Sequence, residues 1–358
     1  MMRVEGACAS GGLALACGVD AIRAGADVVL IAGVEVQTTA DSRTGADYLA
    51  RASHYAAQRP IHDFLFPALF ARRSAAYKRK YGATDEDIGR AAVKSYANAA
   101  RNPLAHMRAK GLTLAAASAP SDANPLFLDH FEDRAHMKVR CQGVVVLCLL
   151  FAVACTRALA AHAHSLAFKL SDCSQVSDGG SALLLCSEAG LRASSLRACD
   201  AVELLSTSVC TSSLYDAPQD LTSLTTCSSA ASCAYAEARV CASDIDIAEV
   251  HDCFTITELM MYEALHFCPP GSAAAMLRAR ETDISGRIPV NTGGGLVGFG
   301  HPVGATGVKQ VVELWRQMKG SSGAYQVPSI PQIGVCANMG GALLVPHALL
   351  RAITGRCR

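Results

Sequence analysis

Between residues 291 and 309 the chain reads N-T-G-G-G-L-V-G-F-G-H-P-V-G-A-T-G-V-K, and this stretch limits the possible folds most tightly. Glycine at this density marks main chain held close to something, either a ligand or another piece of backbone. The stretch gives way to V-V-E-L-W, which has helical spacing, so it ends at a helix start. A helix start presents unpaired N–H groups and the positive end of the helix dipole. His301 is held in that setting. Two readings follow: a tight turn around a buried, satisfied histidine, or a histidine placed for acid–base or oxyanion work.

A chain of 358 residues is long enough for one large domain or two ordinary ones. Half of it is hydrophobic, with few aromatics and much Ala and Leu, as in α/β proteins whose helices pack on a buried sheet. The net charge of +1 gives no basis for nucleic acid or a broadly acidic surface as partner, so any anion binding must be local. The sixteen cysteines include no C-x-x-C pair and no metal-ligand spacing, so no metal is expected. Cys17, Cys148, Cys155, Cys186 and Cys241 lie in apolar runs and read as small buried hydrophobes. Such usage fits a reducing, intracellular compartment, with one to three cysteines left for chemistry. The opening M-M-R-V-E-G has neither signal-peptide nor presequence character, and the closing G-R-C-R is not a peroxisomal tripeptide.

Read from the start, V-E-G-A-C-A-S-G-G leads into a helix whose apolar face would carry Leu13, Ala16, Cys17, Ala21 and Ile22, with Gly25 as its stop. Residues 27–34 read as a strand too apolar to be half-exposed. Cys8 therefore sits in a turn at a helix start, where the dipole would lower its pKa from about 8.5. Residues 38–170 change character, with more charge, Pro, His and Tyr, and read as an inserted, partly helical lobe. Within it, Thr84 is placed to cap a helix. Residues 143–155 form an apolar run well short of the roughly 20 residues that span a membrane. This run reads as a buried helix or as sequence foreign to the fold.

Order resumes with S-D-G-G-S and a strand read as buried, A-L-L-L-C. Further strands are expected at 201–210 and 247–250, and a small-residue helix at 224–242. The 247–250 strand delivers His251-Asp252-Cys253-Phe254 to an amphipathic helix, T-I-T-E-L-M-M-Y-E-A-L. A helix over 304–318 and a strand–turn–strand over 333–345, containing C-A-N-M-G-G, close the pattern. The plan repeats: a reactive side chain at a small-residue turn, then a helix (Cys8 before A-S-G-G, His301 before P-V-G-A-T-G). Two such halves face to face would bring both helix starts to one site.

The chemistry-bearing residues are few. Cys8 reads as a nucleophile or as a small buried cysteine. His301 and His251 read as bases or oxyanion donors. Cys253 lies beside His251 at a strand end, where side chains can enter a cleft. Cys336 precedes a Gly-Gly turn whose N–H groups could line an anion hole.

At these residues the chain resembles the thiolase family. V-E-G-A-C-A-S-G, H-D-C-F, G-H-P-V-G-A-T-G and C-A-N-M-G-G occur in the family's order, and H-D-C-F is similar to the sterol-carrier-protein-2 type. The lobe's K-Y-G-A-T and N-A-A-R-N-P look like the same branch. The resemblance covers residues 1–135 and 171–358. It implies the thiolase fold, an α/β architecture of two similar halves in a layered α-β-α-β-α core with an inserted loop lobe. The divisions would be an N-terminal half over 1–40, a lobe over 41–170, a return strand over 171–197 and a C-terminal half over 198–358.

The resemblance also implies acyl transfer on coenzyme A thioesters, the substrates, with no bound cofactor. Cys8 would carry the acyl group as a thioester, and His301 would activate Cys8 and donate to the second substrate's thioester oxygen. Cys253 would move the α-proton of acetyl- or propionyl-CoA, with Cys336 as the alternative acid/base, and His251 would help hold an oxyanion. Backbone N–H groups at Cys8, Gly340 and Gly341 would form a second oxyanion hole. The basic run with Arg72, Arg73 and Lys78 lies where the family covers coenzyme A, and reads as a phosphate grip or a solvated helix face. The expected partners are acyl-CoA, CoA and a second copy of the chain, in a peroxisome or mitochondrion, with no nucleic acid and no membrane.

Two departures set further expectations. Family members carry a long segment before the nucleophile, so the sheet here is expected to lack members. Residues 139–169 read as foreign, in the manner of a retained intron. The rival readings are an inactive, truncated thiolase-like protein, a synthase that condenses acyl-CoAs, and a membrane-anchored variant resting only on residues 143–155.

Overall fold

Two sheets carry the fold, and two helices lie between them. The computed structural model describes residues 1–122, 124–128, 168–194, 197–216, 220–340 and 344–352. Strand Val28–Glu35 pairs antiparallel with Gly179–Cys186, Val28 facing Cys186 and Glu35 facing Gly179. The second sheet runs in the order Val202–Thr211, Leu344–Ala352, Ile333–Ala337 and Ile247–Val250. Its first two pairings are antiparallel and its last is parallel.

Helices Ser10–Arg23 and Thr306–Met318 touch each other and strands of both sheets, so they form the layer between. The period-2 alternation of a strand divides the four-stranded sheet cleanly. Ile247, Cys336, Ala348 and Leu350 face this middle layer with Leu15, Val308 and Leu314. Ala248, Val250, Val335, Ala337 and Leu349 face an outer core. Helix Thr225–Ala238 lies on that outer side, where Ala230, Ala231 and Ala234 are fully buried and let it approach the strands. The order sheet, helices, sheet, helices follows, an α/β fold with the helix layer in the middle that the sequence implied.

Three expectations need correction. Strands Val28–Glu35 and Gly179–Cys186 bury one face only: Ile31 is buried, while Leu30 is 67% and Val34 71% exposed, with Val28 and Leu184 exposed beside them. An apolar run looks the same whether one face or both are covered, so the sequence could not separate the cases. The deepest side of helix Ser10–Arg23 is Ser10, Gly11, Gly12, Leu15 and Gly18 rather than the larger apolar stripe, because its closest neighbour is another helix backbone. Helix Thr255–Ala264 is buried nearly all round instead of being amphipathic. Its glutamates are accommodated by partners: Glu258 by Lys94 and Tyr262, Glu263 by Tyr77 and the Gly271 N–H.

The lobe leaves the chain between the two strands of the smaller sheet and is helical, with Ser42–Ala50, Leu65–Tyr81 and Asp85–Ala99 as its main pieces. Thr84 caps the last of these: its hydroxyl accepts from the Asp87 N–H, and the Asp87 carboxylate accepts from the Thr84 N–H. This helix packs on Thr255–Ala264. The apolar run at 143–155 and most of the foreign-looking segment lie outside the described residues. Among the described residues no helix is long and apolar enough to cross a membrane.

Candidate active site

Cys8 sits in a single 3-10 turn, Ala7–Ala9, that feeds directly into helix Ser10–Arg23. The turn is bent tightly. Ala7 has φ +50°, a left-handed conformation that an L-residue adopts only when its surroundings hold it there. The holding groups are Glu5, whose carboxylate accepts from the Ala7 N–H at 2.8 Å, and Ser10, whose Oγ accepts from the Gly6 N–H at 2.9 Å. Gly340 presses on the same turn: a Cβ there would stand 2.3 Å from the Gly6 carbonyl oxygen. The expected hole of Cys8, Gly340 and Gly341 N–H groups is described only in part: Gly340 packs on the Cys8 turn at Gly6 and Ala9, while Gly341 lies outside the described residues.

The glycine stretch delivers His301 from the other half. Asp252 fixes its first part, accepting the Leu296 N–H at 2.6 Å and the Val297 N–H at 3.4 Å. Gly295 is required here, since it has φ +60° and a Cβ would meet the Asp252 carboxylate at 2.2 Å. Past the histidine, Glu35 accepts the Gly304 N–H at 3.0 Å, and the Gln37 amide donates to the His301 carbonyl at 2.8 Å. The smaller sheet therefore grips the loop of the larger half. Helix Thr306–Met318 starts five residues after His301 and crosses helix Ser10–Arg23 at its first turn.

The result is that Cys8, His251 and His301 converge, their ligand-type atoms all lying within 4.8 Å of one another. The imidazoles of His251 and His301 meet edge to face, with centroids 5.1 Å apart. His301 Nδ1 is 2.8 Å from the Thr306 hydroxyl, while its buried Nε2 has no protein partner among the described residues. His251 Nδ1 is 3.2 Å from the Asn338 amide nitrogen. Cys253 is buried close by, 4.0 Å from the Thr257 hydroxyl, and its thiol responds electrostatically to Cys8.

The electrostatics differ from the sequence expectation at Cys8. Burial pushes its thiol up to about 12, with Glu35 and Glu5 adding to the rise and a backbone hydrogen bond opposing it. The helix dipole is outweighed by the desolvation of a half-buried thiol whose nearest charges are negative. Burial also pushes His301 down to about 4 and His251 well below the ordinary imidazole range. Cys253 is pushed well up by burial and then by Cys8. At neutral pH the site is a set of neutral groups: two thiols and two imidazoles. The bare Nε2 of His301 is free to accept a proton in such a setting.

Three further residues fall elsewhere. Cys336 is buried on the middle-layer face of its strand, with Leu15, Val308 and Ala348, whereas Cys253 belongs to the opposite core. Arg73 is 6% exposed and donates to the Leu221 and Ser223 carbonyls, so it ties down the chain at residues 221–223 rather than offering its charge outward. Lys78 pairs with Asp85 at 2.7 Å. The sequence reading missed the residues that orient the site, namely Thr306, Asn338, Asp252 and Gln37. Thr306 and Asn338 were visible inside G-H-P-V-G-A-T-G and C-A-N-M-G-G, but hydrogen-bonding partners across the fold leave no mark in the local sequence.

Cys8, His251 and His301 are also spaced so that, among the described residues, they could surround a soft cation. The hydrogen bonds argue against it. Asn338 fills the His251 Nδ1 lone pair, which leaves the proton on Nε2, and a coordinating nitrogen must be bare.

Comparison with known proteins places the chain in a family. Residues 1–110 match the family model "Thiolase, N-terminal domain" and residues 189–350 match "Thiolase C-terminal domain-like". An acetyl-CoA acetyltransferase of Methanothermobacter thermautotrophicus is 32% identical over 340 residues, covering 95% of this chain and 76% of that protein. Human sterol carrier protein 2 is 35% identical over 183 residues, 48% of this chain and 32% of that protein. Among solved structures, an Ltp2-ChsH2(DUF35) aldolase superposes with a TM-score of 0.70 at 24% identity, covering 97% of this chain and 78% of that one. It shares the fold.

Proposed function

The chain belongs to the thiolase family of acyltransferases, and from that premise we propose that it cleaves 3-ketoacyl-CoA thiolytically, through an acyl thioester on Cys8, to acyl-CoA and acetyl-CoA or propionyl-CoA. The observation that carries this reading is the convergence of Cys8, His251 and His301 within 4.8 Å, with the buried Nε2 of His301 bare.

The steps follow from the neutral resting site. Cys8 Sγ attacks the 3-keto carbon as its proton passes to His301 Nε2, and the oxygen becomes an alkoxide held by N–H donors. The bond between the α- and β-carbons then breaks. Its electron pair leaves as the enolate of acetyl- or propionyl-CoA and takes a proton from Cys253, while the acyl group stays on Cys8 as a thioester. Free CoA gives its thiol proton to the Cys253 thiolate and attacks that thioester, releasing acyl-CoA. His301 returns the first proton to Cys8. Run backward, the same steps are a Claisen condensation. The place of Cys253 in the outer core near Cys8 favours it over Cys336 for that role. The partners on this reading are acyl-CoA and CoA, with a second copy of the chain as in the family.

The test is intact-protein and peptide mass spectrometry after brief exposure to a 3-ketoacyl-CoA. An acyl adduct on the Cys8 peptide, discharged by CoA, is expected. Absence of both the adduct and CoA-dependent consumption of the substrate would sink the proposal.

A further inference from the structure

The two histidines of the site hold opposite proton arrangements, and we propose that Thr306 and Asn338 are the positioning residues that set them. Thr306 makes His301 the proton acceptor, and Asn338 makes His251 the proton donor. The catalytic consequence rests on the acyl-transfer reading above, but the proton arrangement itself does not.

The assignment follows from which groups can only donate or only accept. The Thr306 hydroxyl donates to the Pro302 carbonyl at 3.0 Å, and a carbonyl can only accept. That uses the hydroxyl's single proton, so its oxygen accepts from His301 Nδ1 at 2.8 Å. A neutral imidazole has one N–H. His301 therefore carries it on Nδ1, and Nε2, which lacks any partner among the described residues, presents a lone pair.

The second chain of hydrogen bonds runs the other way. The Gly12 N–H can only donate, and it lies 3.3 Å from Asn338 Oδ1. This fixes which end of the amide is oxygen, since the reversed amide would set donor against donor. The NH2 end then faces His251 Nδ1 at 3.2 Å and donates to it. Nδ1 of His251 is an acceptor, so its one N–H is on Nε2. Gly12 belongs to the first turn of the helix that Cys8 precedes, so the nucleophile's own helix orients the second histidine. Burial keeps both rings neutral, which is the condition for a tautomer to matter.

Attack of a thiol on a carbonyl needs one group to accept the S–H proton and one to donate to the oxygen that becomes negative. Two imidazoles with the same tautomer would supply one of these twice. Opposed tautomers supply both, with no rearrangement as the reaction begins.

Long-range 1H–15N correlation on 15N-histidine-labelled protein at pH 7.5 reads each ring directly, with signals assigned by their loss in His301→Gln and His251→Gln. The wild-type spectrum should show His301 protonated at Nδ1 and bare at Nε2, and His251 the reverse. The same tautomer on both rings, or averaging between two in either ring, overturns the proposal. Thr306→Val should release His301 into averaging and lower kcat with KM little changed. The fall should be at least about 10-fold, toward the ~10⁴-fold that a wrongly protonated triad histidine costs. Thr306→Ser should restore both. An unchanged His301 spectrum and kcat in Thr306→Val would remove Thr306 from the role. Asn338→Asp should reverse His251, because a carboxylate accepts from Nδ1–H. Should either variant fail to fold, the wild-type spectrum alone still decides the arrangement. Absence of acyl transfer in the wild-type protein would defeat the functional reading while leaving the tautomer assignment intact.

Discussion

Gly11 and Gly307 meet backbone to backbone where the two middle helices cross: a Cβ on Gly11 would stand 2.8 Å from the Gly307 nitrogen, and one on Gly307 would stand 2.3 Å from the Gly12 nitrogen. This contact holds the two helix starts of the candidate site together, because Cys8 lies just before one helix and His301 just before the other. Neither neighbour can yield, since both are main chain rather than flexible side chain. The added methyl of Gly307→Ala would also press on the Asn338 side-chain oxygen at 2.5 Å. We expect Gly307→Ala to destabilise the fold by about 1–3 kcal/mol, the range for overpacking a tight core. It should also slow acyl transfer, because separating the helices moves Cys8 away from His301. Urea unfolding and kcat measured on the same preparation check both. A variant with wild-type stability and rate would show that the crossing is looser than these distances require.

Cys8 and Cys253 should fail in different ways. On the proposed reaction, Cys8→Ala removes the atom that would carry the acyl group, so no adduct should form and thiolysis should be lost. Cys253→Ala leaves that atom but removes the proton donor for the departing enolate. We expect Cys253→Ala to lose deuterium exchange into the methyl group of acetyl-CoA by about 10²–10⁴-fold, the usual worth of general acid–base catalysis. Unchanged exchange in Cys253→Ala, with loss in Cys336→Ala, would reverse the assignment between these two cysteines.

Residue order and spacing made most of the framework legible. The turn that holds Cys8, the strand before His251, the cap at Thr84 and the helix after His301 are each written in local pattern, and each is where the pattern put it. Exposure was illegible. Leu30 and Val34 look as core-like in sequence as Ile31, and only the absence of described elements over their face separates them. The state of Cys8 was illegible for a related reason. A helix dipole can be read from a sequence, but the desolvation of the thiol and the approach of Glu35 from another strand cannot. Arg73 read as a surface cation because its helix is basic, yet its guanidinium is buried and donates to two carbonyls at residues 221 and 223.

The pH dependence of kcat/KM should lack the usual histidine limb. A buried imidazole pushed down to about 4 stays neutral, and so remains a base, through the range in which a free histidine is lost. Activity governed by His301 is therefore present above the lowered value and falls only as pH drops through it. We expect kcat/KM to be level across pH 6.5, the ordinary histidine value, and to decline between about pH 5 and 4. Brief exposure followed by return to neutral pH separates this titration from acid unfolding. A half-maximal point near 6.5 would mean that the base is a solvated histidine.

The lobe is pinned to the larger half by a charged pair removed from water. Lys94, 7% exposed on the lobe helix, pairs with Glu258, 1% exposed on helix Thr255–Ala264, and also donates to the Tyr262 hydroxyl at 2.9 Å and the Val290 carbonyl at 3.2 Å. A buried pair of this kind contributes little net stability over an apolar substitute, but breaking it strands a charge. Lys94→Met leaves Glu258 facing Tyr262 with no cation beside it, and should destabilise by about 3–5 kcal/mol. Lys94→Met combined with Glu258→Gln removes both charges and should recover a large part of that loss. The coupling between the two sites in denaturant unfolding is the decisive quantity. Purely additive effects would mean that the pair is not what holds the lobe, and that the Val290 carbonyl and the surrounding apolar contacts suffice.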